Sequence, residues 1–390
     1  MERSIPRFQC LMWRTSMPQK IDGQPCVAVI GGGYAGIRAA RDLDDIANVV
    51  LVEPRDSFRH NVGALRAMVR PDWMPNIFMS YEKLLANGKV VHDRAAQVQP
   101  GRVELASGQV LDADFIVLAT GSQYPFPAKD DETSSELSKK KYLRINENLE
   151  SAKHVLLLGA GVVGVELVGE ILARWPEKQI TLLDPSADVL KGQYPEPLRA
   201  ALREMLSSEG VDLRLGEGLR DLPQAVAGEV TPFVAETTSG ARIDADLWLQ
   251  CFGGGVTSDY VVGSLAQART ESGRLRVHDD LRVQGHDTVY AVGDIADLGL
   301  PTAFIADVQA DIAARNIRVQ ITGEGESAEF QDPFPHLVVP FGTDKGTGWM
   351  VNQDELLDTA TVKQLKGDHL LIAMYTDRLG LTDGAWTIGH

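Results

Sequence analysis

Two glycine-rich segments carry the residue types and the spacing that bind a dinucleotide pyrophosphate. They are Gly31-x-Gly33-x-x-Gly36 and Gly159-x-Gly161-x-x-Gly164. The first glycine permits a tight turn, the second lets the backbone approach the pyrophosphate, and the third lets a helix pack closely on a strand. The helix that follows presents unpaired N–H groups to the phosphates. The sequence therefore predicts two nucleotide sites.

An acidic residue follows each segment at the end of the next predicted strand. Glu53 lies 22 residues after Gly31, and Asp184 lies 25 residues after Gly159. A carboxylate at this position accepts hydrogen bonds from ribose hydroxyls. Because it would also repel a 2′-phosphate, Asp184 favours NADH over NADPH.

The elements around the two segments repeat along the chain. Strands at Val27–Ile30 and Asn48–Val52 enclose one predicted helix, and the same order recurs from His154. The strand Val289–Val292 resembles the start of neither repeat and is best placed as a return to the first domain. We predict an α/β protein with two Rossmann-like domains in a glutathione-reductase-like architecture, plus a small C-terminal α+β domain.

The predicted domain boundaries follow from this pattern. Residues 25–145 with 275–325 form the first nucleotide-binding domain, residues 146–274 form the second as an insertion, and residues 326–390 form the C-terminal domain. We expect residues 1–24 to be a disordered extension with Met17 as the true start, since they lack a continuous apolar segment. Lys129 to Lys141 has no apolar period and is predicted to be a solvated linker.

Charge and cysteine usage exclude several classes of function. With 38 Lys and Arg against 54 Asp and Glu, the net charge of −16 argues against nucleic acid as a partner. Cys10, Cys26 and Cys251 are isolated, so we expect neither a redox disulfide nor a metal site. The sequence has no apolar run long enough to span a membrane. We expect a cytoplasmic protein, with peripheral membrane contact and a homodimer as open possibilities.

Later motifs resemble a known superfamily. The segments Ile116–Gly121 and Val289–Asp294 resemble the two-dinucleotide-binding-domain flavoproteins, and the similarity runs from Val27 to Ile317. Asp56–Ala67 closely resembles the ferroptosis suppressor protein family of apoptosis-inducing factor homologues, and fainter similarity extends to Pro340–Gly346. Type II NADH dehydrogenases are related proteins. The chain departs from the family in lacking its N-terminal myristoylation signal.

The resemblance implies that the first domain holds FAD and the second binds NADH. Asp294 would accept a ribityl hydroxyl, and Arg66 would pair with the flavin pyrophosphate, because a guanidinium matches phosphate oxygens. A surface ion pair is the alternative for Arg66. The predicted FAD contacts are Gly31, Gly32, Gly33, Tyr34, Ala35, Gly36, Glu53, Arg66, the backbone at Val90, Thr120, Gly121 and Asp294. The predicted NAD contacts are Gly159, Gly161, Gly164, Asp184 and Gly253.

The family further implies an NAD(P)H:quinone oxidoreductase, in which hydride passes from NADH to the flavin and two electrons pass to a quinone. Two residues are candidates for catalysis. Glu166 would reach the nicotinamide, or would stabilise its helix N-terminus instead, and Gln309 resembles a glutamine that type II dehydrogenases use near quinone. Phe341, Trp349 and Tyr375 could line a quinone slot, or belong to the core or to a dimer interface. A ferredoxin or rubredoxin reductase and a redox-sensing flavoprotein like apoptosis-inducing factor stay as alternatives.

Overall fold

A computed structural model of the chain describes residues 23–192, 194–333, 336–350 and 355–381. The predicted extension 1–24, with its expected start at Met17, lies outside these residues apart from its last two positions. The first part of the chain forms a strand-helix-strand unit followed by short helices and a ribbon. Its elements are β1 (Cys26–Ile30), α1 (Tyr34–Leu43), β2 (Asn48–Val52), β3 (Phe58–Arg59), α2 (Ala64–Val69), α3 (Met74–Ile77), β4 (Phe78–Met79), β5 (Lys89–Val91), β6 (Ala95–Gln99), β7 (Arg102–Leu105), β8 (Val110–Asp112) and β9 (Phe115–Leu118).

The middle part of the chain repeats the strand-helix-strand unit after a long helix. Its elements are α4 (Ser135–Ser151), β10 (His154–Leu158), α5 (Val162–Arg174), β11 (Gln179–Asp184), α6 (Glu196–Ser208), β12 (Asp212–Leu215), β13 (Phe233–Glu236), β14 (Arg242–Ala245) and β15 (Leu247–Gln250). The last part returns to the first domain and then adds a small sheet and two short helices. Its elements are β16 (Val289–Ala291), α7 (Ala303–Thr322), β17 (Leu337–Phe341), β18 (Lys345–Met350), β19 (Glu355–Leu357), α8 (Thr359–Val362) and α9 (Ile372–Arg378).

Two parallel sheets organise the molecule. The first has the order β16-β9-β1-β2-β5, and the second has the order β12-β11-β10-β15. Their central strands are apolar and buried along most of their length, as strands covered on both faces must be. The predicted α/β fold with two Rossmann-like units is confirmed. The strand β16 pairs with β9 in parallel, which brings the chain back to the first sheet after the second is complete.

The segment predicted as a solvated linker differs from that prediction. Helix α4 begins at Ser135, and the side chain of Ser134 accepts a hydrogen bond from the Leu137 backbone N–H as its N-cap. The buried side chains of α4 are Ser138, Tyr142, Ile145 and Leu149. The linker prediction is therefore wrong over Ser135–Lys141, since the apolar stripe of the helix becomes visible only beyond Lys141. The domain boundary predicted at residue 145 falls inside this helix.

Candidate functional site

The outer glycines of each segment are required by close backbone contacts. A Cβ on Gly36 would lie 1.8 Å from the Gly31 carbonyl oxygen, and a Cβ on Gly164 would lie 1.9 Å from that of Gly159. Gly31 and Gly159 have φ of +100° and +111°, a left-handed region that favours glycine. These contacts hold the start of each helix against its strand, as the spacing predicts.

The middle glycine of each segment faces open space. A Cβ added to Gly33 or to Gly161 would meet no heavy atom within 4 Å. Each of these residues is the N-cap of its helix, α1 or α5, and no side chain caps either helix. The first-turn N–H groups of both helices are thus directed at a cradle that an anionic group can enter. This geometry fits a dinucleotide pyrophosphate at both places.

The two acids brace the glycine turns that precede them. The Glu53 carboxylate accepts hydrogen bonds from the backbone N–H groups of Gly32 at 2.7 Å and Arg55 at 2.9 Å. The Asp184 carboxylate accepts equivalent bonds from Ala160 and Ser186, both at 2.7 Å. Each carboxylate oxygen has a second lone pair for a ribose hydroxyl. The two sites therefore have the same arrangement of carboxylate and glycine turn, and the side chain of Asp184 is one carbon shorter than that of Glu53.

The remaining first-site residues lie around the carboxyl ends of the strands in the first sheet. Thr120 and Gly121 follow β9, and Asp294 follows β16 in a turn of 3₁₀ helix at Gly293–Ile295. A Cβ on Gly293 would lie 3.5 Å from the Cβ of Ala35, which places this turn against the start of α1. Val90 lies in β5, the strand at one edge of this sheet. Ligands of open α/β sheets bind at these carboxyl ends.

The second site has the same geometry at the ends of β10, β11 and β15. The Cys251 N–H donates to the Leu158 carbonyl at 2.7 Å, which sets the end of β15 beside Gly159. Gly253 follows with φ of +88°. Burial raises the pKa of the Cys251 thiol to about 12, so this side chain stays protonated. Within the described residues no group of three or more His, Cys, Asp or Glu side chains could hold a metal ion.

Asp294 is held by two neighbours from the segment after β9. The Ser122 hydroxyl donates to Asp294 Oδ2, and Lys129 Nζ lies 3.2 Å from the same oxygen. Lys129 also donates to the Ser122 carbonyl and hydroxyl, each at 2.9 Å. Sequence reasoning missed both residues, because they lie 172 and 165 positions from Asp294 in the sequence.

Arg66 has partners other than the predicted pyrophosphate. Its side chain is 1% exposed, and Nη2 lies 2.8 Å from the Glu170 carboxylate on α5, with which Nε also bonds. Nη1 donates to the Gly367 carbonyl at 2.7 Å, and Nη2 also donates to the Gly342 carbonyl at 3.1 Å. The guanidinium therefore joins all three parts of the chain. Its predicted contact with FAD stays a prediction, and the alternative of a surface ion pair is wrong because this pair is buried.

Glu166 lies one helical turn before Glu170 and pairs with Lys366, near the end of the described chain. Its carboxylate is 2.7 Å from Lys366 Nζ, which also donates to the Val338 carbonyl at 3.2 Å. Burial raises the pKa of Glu166, and the Lys366 ammonium opposes that shift. The carboxylate thus contacts a cation from a distant part of the chain and is not confined to its own helix terminus. Its role at the nicotinamide stays a prediction.

Gln309 is fully buried in α7, and both ends of its amide bind backbone. Its Oε1 accepts from the Gly293 N–H at 2.7 Å, and its Nε2 donates to the Leu298 carbonyl at 2.8 Å. These bonds assign Gln309 the task of holding the turn that presents Asp294. The predicted contact with quinone stays a prediction, and it would require these bonds to be exchanged.

The aromatic residues predicted to line a quinone slot lie in two different cores. Phe341 and Trp349 pack with the apolar side chains of α5, whereas Tyr375 packs with those of the first sheet. Tyr375 lies 4.7 Å from Tyr34 and 5.1 Å from His60 between ring centroids. The three aromatics therefore do not line one slot in this structure.

His60 links Tyr34, in the first glycine segment, to Leu370 in the last part of the chain. Its Nε2 lies 2.7 Å from the Leu370 carbonyl and must donate there, which leaves Nδ1 to accept from the Tyr34 hydroxyl at 3.2 Å. The Tyr34 oxygen in turn accepts from the Val62 N–H at 2.9 Å. Burial lowers the pKa of His60 from 6.5 to about 4, so the ring is neutral in this network.

Acidification should weaken the fold through His60. The unfolded chain takes up this proton near pH 6.5, but the folded chain does so only near pH 4. The free energy of unfolding should therefore fall by about 2–3 kcal/mol from pH 6.5 to 4, with no contribution from His60 above that window. Urea unfolding across this range should show a shallower pH slope for His60→Gln. The exposed His278→Gln is the control, and equal slopes for both variants would contradict the assignment.

The geometry agrees with comparisons to known sequences. Residues 25–310 match the family model described as pyridine nucleotide-disulphide oxidoreductase. Ferroptosis suppressor protein 1 of Xenopus laevis is 36% identical over 315 residues, which cover 76% of this chain and 81% of that protein. The Homo sapiens protein of that name is 33% identical over 75% of this chain and 79% of its own length. Apoptosis-inducing factor homolog B of Dictyostelium discoideum is 28% identical and covers 90% of this chain and 96% of that protein.

Solved structures show the same architecture. The sulfide:quinone oxidoreductase of Aquifex aeolicus superimposes with a TM-score of 0.71 at 14% identity, over 92% of this chain and 93% of that one. The reduced Bacillus anthracis protein CoADR-RHD gives a TM-score of 0.65 at 18% identity, over 88% of this chain and 63% of that one. At these identities the likeness concerns the fold alone. The predicted resemblance to this group of flavoproteins is confirmed.

Proposed function

Because this chain belongs to the pyridine nucleotide-disulphide oxidoreductase family, we propose that it is an FAD-dependent NADH:quinone oxidoreductase. Family membership and the relatives make it an NAD(P)H oxidoreductase that uses FAD, as the sequence predicts. The preference for NADH and the quinone acceptor are the proposal. The observation that carries it is the pair of glycine cradles at Gly33 and Gly161, each open, uncapped and followed by an acid.

The residues of this chain would bind, orient and shield the two nucleotides. Bound FAD supplies a hydride acceptor and a store for two electrons. The first cradle, with Glu53 and the Asp294 turn, would hold FAD, while the second, with Asp184, would hold NADH. The segments that follow β9 and β15 bind each other, since the Gln123 N–H donates to the Gly255 carbonyl at 2.8 Å and the reverse bond is 3.1 Å. This pair of hydrogen bonds would hold the two nucleotide sites at a fixed position relative to each other.

The two described cysteines do not favour electron transfer from the flavin through a pair of thiols. Transfer to a small acceptor that diffuses to the flavin is therefore favoured. Within the described residues Cys26 and Cys251 are both buried, and they form no disulfide with each other. Burial keeps the Cys251 thiol protonated, and the thiolate is the reactive form. Electrons from FAD would therefore leave directly to the acceptor. A quinone is favoured by the similarity to the ferroptosis suppressor proteins, and a solved structure of the same fold is named a sulfide:quinone oxidoreductase.

Replacing Asp184 with asparagine should relax the preference for NADH. The carboxylate would repel a 2′-phosphate, while the amide oxygen can still accept one of the two backbone bonds from Ala160 and Ser186. The ratio of kcat/KM for NADH to that for NADPH should fall about tenfold, equivalent to about 1.4 kcal/mol. The control is Asp212→Asn, an exposed carboxylate on the neighbouring strand β12. An unchanged ratio, or a wild type that prefers NADPH, would contradict this role for Asp184.

The acceptor is tested by reoxidation under anaerobic conditions. Protein reduced with one equivalent of NADH is mixed with menadione, short-chain ubiquinones, ferricyanide or a ferredoxin, and the flavin absorbance is followed. We expect quinones to reoxidise the protein fastest. A ferredoxin that reacts faster than every quinone would replace the proposal with the reductase alternative.

A redox-sensing role is the second candidate, favoured by the similarity to apoptosis-inducing factor homolog B over 90% of the chain. In that case NADH would shift conformation without rapid turnover. Slow reoxidation by every acceptor, together with a stable reduced complex, would support this role.

No helix among the described residues is both long and apolar enough to cross a bilayer. Peripheral membrane contact and a homodimer stay proposals, to be tested by vesicle sedimentation and by light scattering.

A further inference from the structure

Lys129 is not among the predicted site residues, yet its side chain contacts Asp294. Its ammonium has three acceptors, which are the Ser122 carbonyl and hydroxyl at 2.9 Å and Asp294 Oδ2 at 3.2 Å. An ammonium has three N–H donors, so these contacts use its full capacity. The Ser122 hydroxyl donates to the same carboxylate oxygen. Serine and lysine thus form one assembly around Asp294.

Because this assembly is mostly buried, the Asp294 carboxylate depends on the positive charge of Lys129. The Asp294 side chain is 14% exposed and that of Lys129 is 25% exposed. A carboxylate removed from water needs a paired cation or several hydrogen bonds. Within the part of the chain that the structure describes, Lys129 is the one cation paired with Asp294. Its removal would leave a mostly buried negative charge with the Ser122 hydroxyl alone.

The segment that carries Lys129 is fixed against both nucleotide domains. The Lys129 ammonium lies 5.6 Å from the centre of the Tyr124 ring, within the range of a cation–π contact. The ring covers Gly254, since a Cβ there would lie 2.4 Å from Tyr124 Cε2. The adjacent Gln123 makes the backbone bridge to Gly255. Lys129 therefore lies in a segment that is held by contacts on both sides.

From these contacts we infer that Lys129 is a positioning residue of the flavin site, which fixes the Asp294 carboxylate for FAD and balances its charge. The inference rests on the proposed placement of FAD beside Asp294. It assigns a role to a residue that neither glycine segment nor the motif around Asp294 contains. Ser122 also orients the Asp294 carboxylate, and among the described residues Lys129 supplies the positive charge that balances it.

Charge balance at this site should also affect the redox state of the cofactor. Reduced flavin carries more negative charge than oxidised flavin, and charges near the ring system tune its potential. A site that holds Asp294 without Lys129 is more negative by one charge. It should therefore bind reduced FAD more weakly than oxidised FAD, by a larger factor than in the wild type. A structural defect alone would weaken both forms alike.

The test compares Lys129→Met, Lys129→Arg, Asp294→Asn and the double variant Lys129→Met with Asp294→Asn. Flavin-stripped protein is titrated with FAD to give dissociation constants, and the midpoint potential of the loaded protein is measured against reference dyes. We expect Lys129→Met to weaken FAD binding about tenfold and to lower the potential, and Lys129→Arg to restore most of both. A tenfold difference between the two redox forms corresponds to about 30 mV for a two-electron couple. In the Asp294→Asn background the effect of Lys129→Met on FAD affinity should shrink to less than twofold, because no carboxylate is left for Lys129 to position.

Lys140→Met is the matched control, because Lys140 is 65% exposed and pairs with Glu136 on the surface of α4. Thermal unfolding of the stripped proteins checks that each variant folds. Equal losses of FAD affinity from Lys129→Met with and without Asp294 would overturn the inference, as would an unchanged FAD affinity in both Lys129→Met and Asp294→Asn. Turnover with NADH and quinone is measured in parallel. A wild type that binds FAD but does not oxidise NADH would contradict the proposed function and leave the affinity comparison valid.

Discussion

Replacing Arg66 with methionine should lower the free energy of unfolding by about 3–5 kcal/mol, which is the usual cost of breaking a buried ion pair. Glu170 would keep its negative charge inside the protein without a partner. The carbonyl groups of Gly342 and Gly367 would lose their donor as well. Methionine fills a similar volume beside Trp73, whose ring the guanidinium covers at 4.7 Å. The expected loss is therefore electrostatic rather than a loss of packing.

Urea unfolding of the wild type and the variant measures this effect. The double variant Arg66→Met with Glu170→Met should recover part of the loss, because it removes the unpaired charge. Arg144 and Glu229 provide the surface control, with side chains that are 68% and 34% exposed. Arg144→Met should cost at most about 1 kcal/mol. A loss below 1 kcal/mol for Arg66→Met would show that this pair does not tie the three parts of the chain together.

Substituting alanine for Gly33 should abolish retention of FAD while leaving the protein folded. No heavy atom lies within 4 Å of the added Cβ, and φ at this residue is −79°. Gly→Ala at a compatible φ tends to raise stability by up to ~1 kcal/mol, whereas alanine is a poorer N-cap than glycine, so the free energy of unfolding should change by no more than about 1 kcal/mol. The methyl group would occupy the cradle where the pyrophosphate must approach the backbone. We expect FAD affinity to fall about a thousandfold, or ~4 kcal/mol.

The matched variant Gly161→Ala should affect the other nucleotide. Its Cβ also meets nothing within 4 Å, so FAD content should stay at the wild-type level while NADH binding falls by a similar factor. Gly36→Ala serves as a contrast, because its Cβ would lie 1.8 Å from the Gly31 oxygen and should destabilise the fold itself. Flavin content, NADH titration and urea unfolding separate the three outcomes. Full FAD content in Gly33→Ala, or loss of FAD in Gly161→Ala, would contradict the assignment of the two sites.

The sequence was sufficient to predict what depends on local spacing. The glycine segments, the acids that follow them and the apolar strands are each defined within about 30 residues. The structure gives the outer glycines the close contacts that this reasoning requires, and it leaves the middle glycines open. The return of β16 to the first sheet is a long-range feature, and it could be inferred because Val289–Val292 resembles the start of neither repeat.

Contacts between residues that are distant in the sequence could not be predicted from it. Arg66 and Glu170 are 104 positions apart, and Lys129 and Asp294 are 165 apart, so neither pair leaves a periodic pattern. A buried arginine also looks the same in sequence as an exposed one. Helix α4 was missed because its polar first turns face solvent and its buried stripe begins with Ser138. The buried role of His60 depends on a carbonyl 310 residues away.

The central claim is that NADH, bound at the second glycine segment, reduces FAD bound at the first. An anaerobic stopped-flow experiment tests it most directly, with one equivalent of NADH added to the FAD-loaded protein while the oxidised flavin absorbance is recorded. We predict rapid and complete bleaching in the wild type and loss of rapid bleaching in Gly161→Ala, with its FAD content unchanged. Persistent oxidised flavin in the wild type, or equally fast bleaching in Gly161→Ala, would contradict the account.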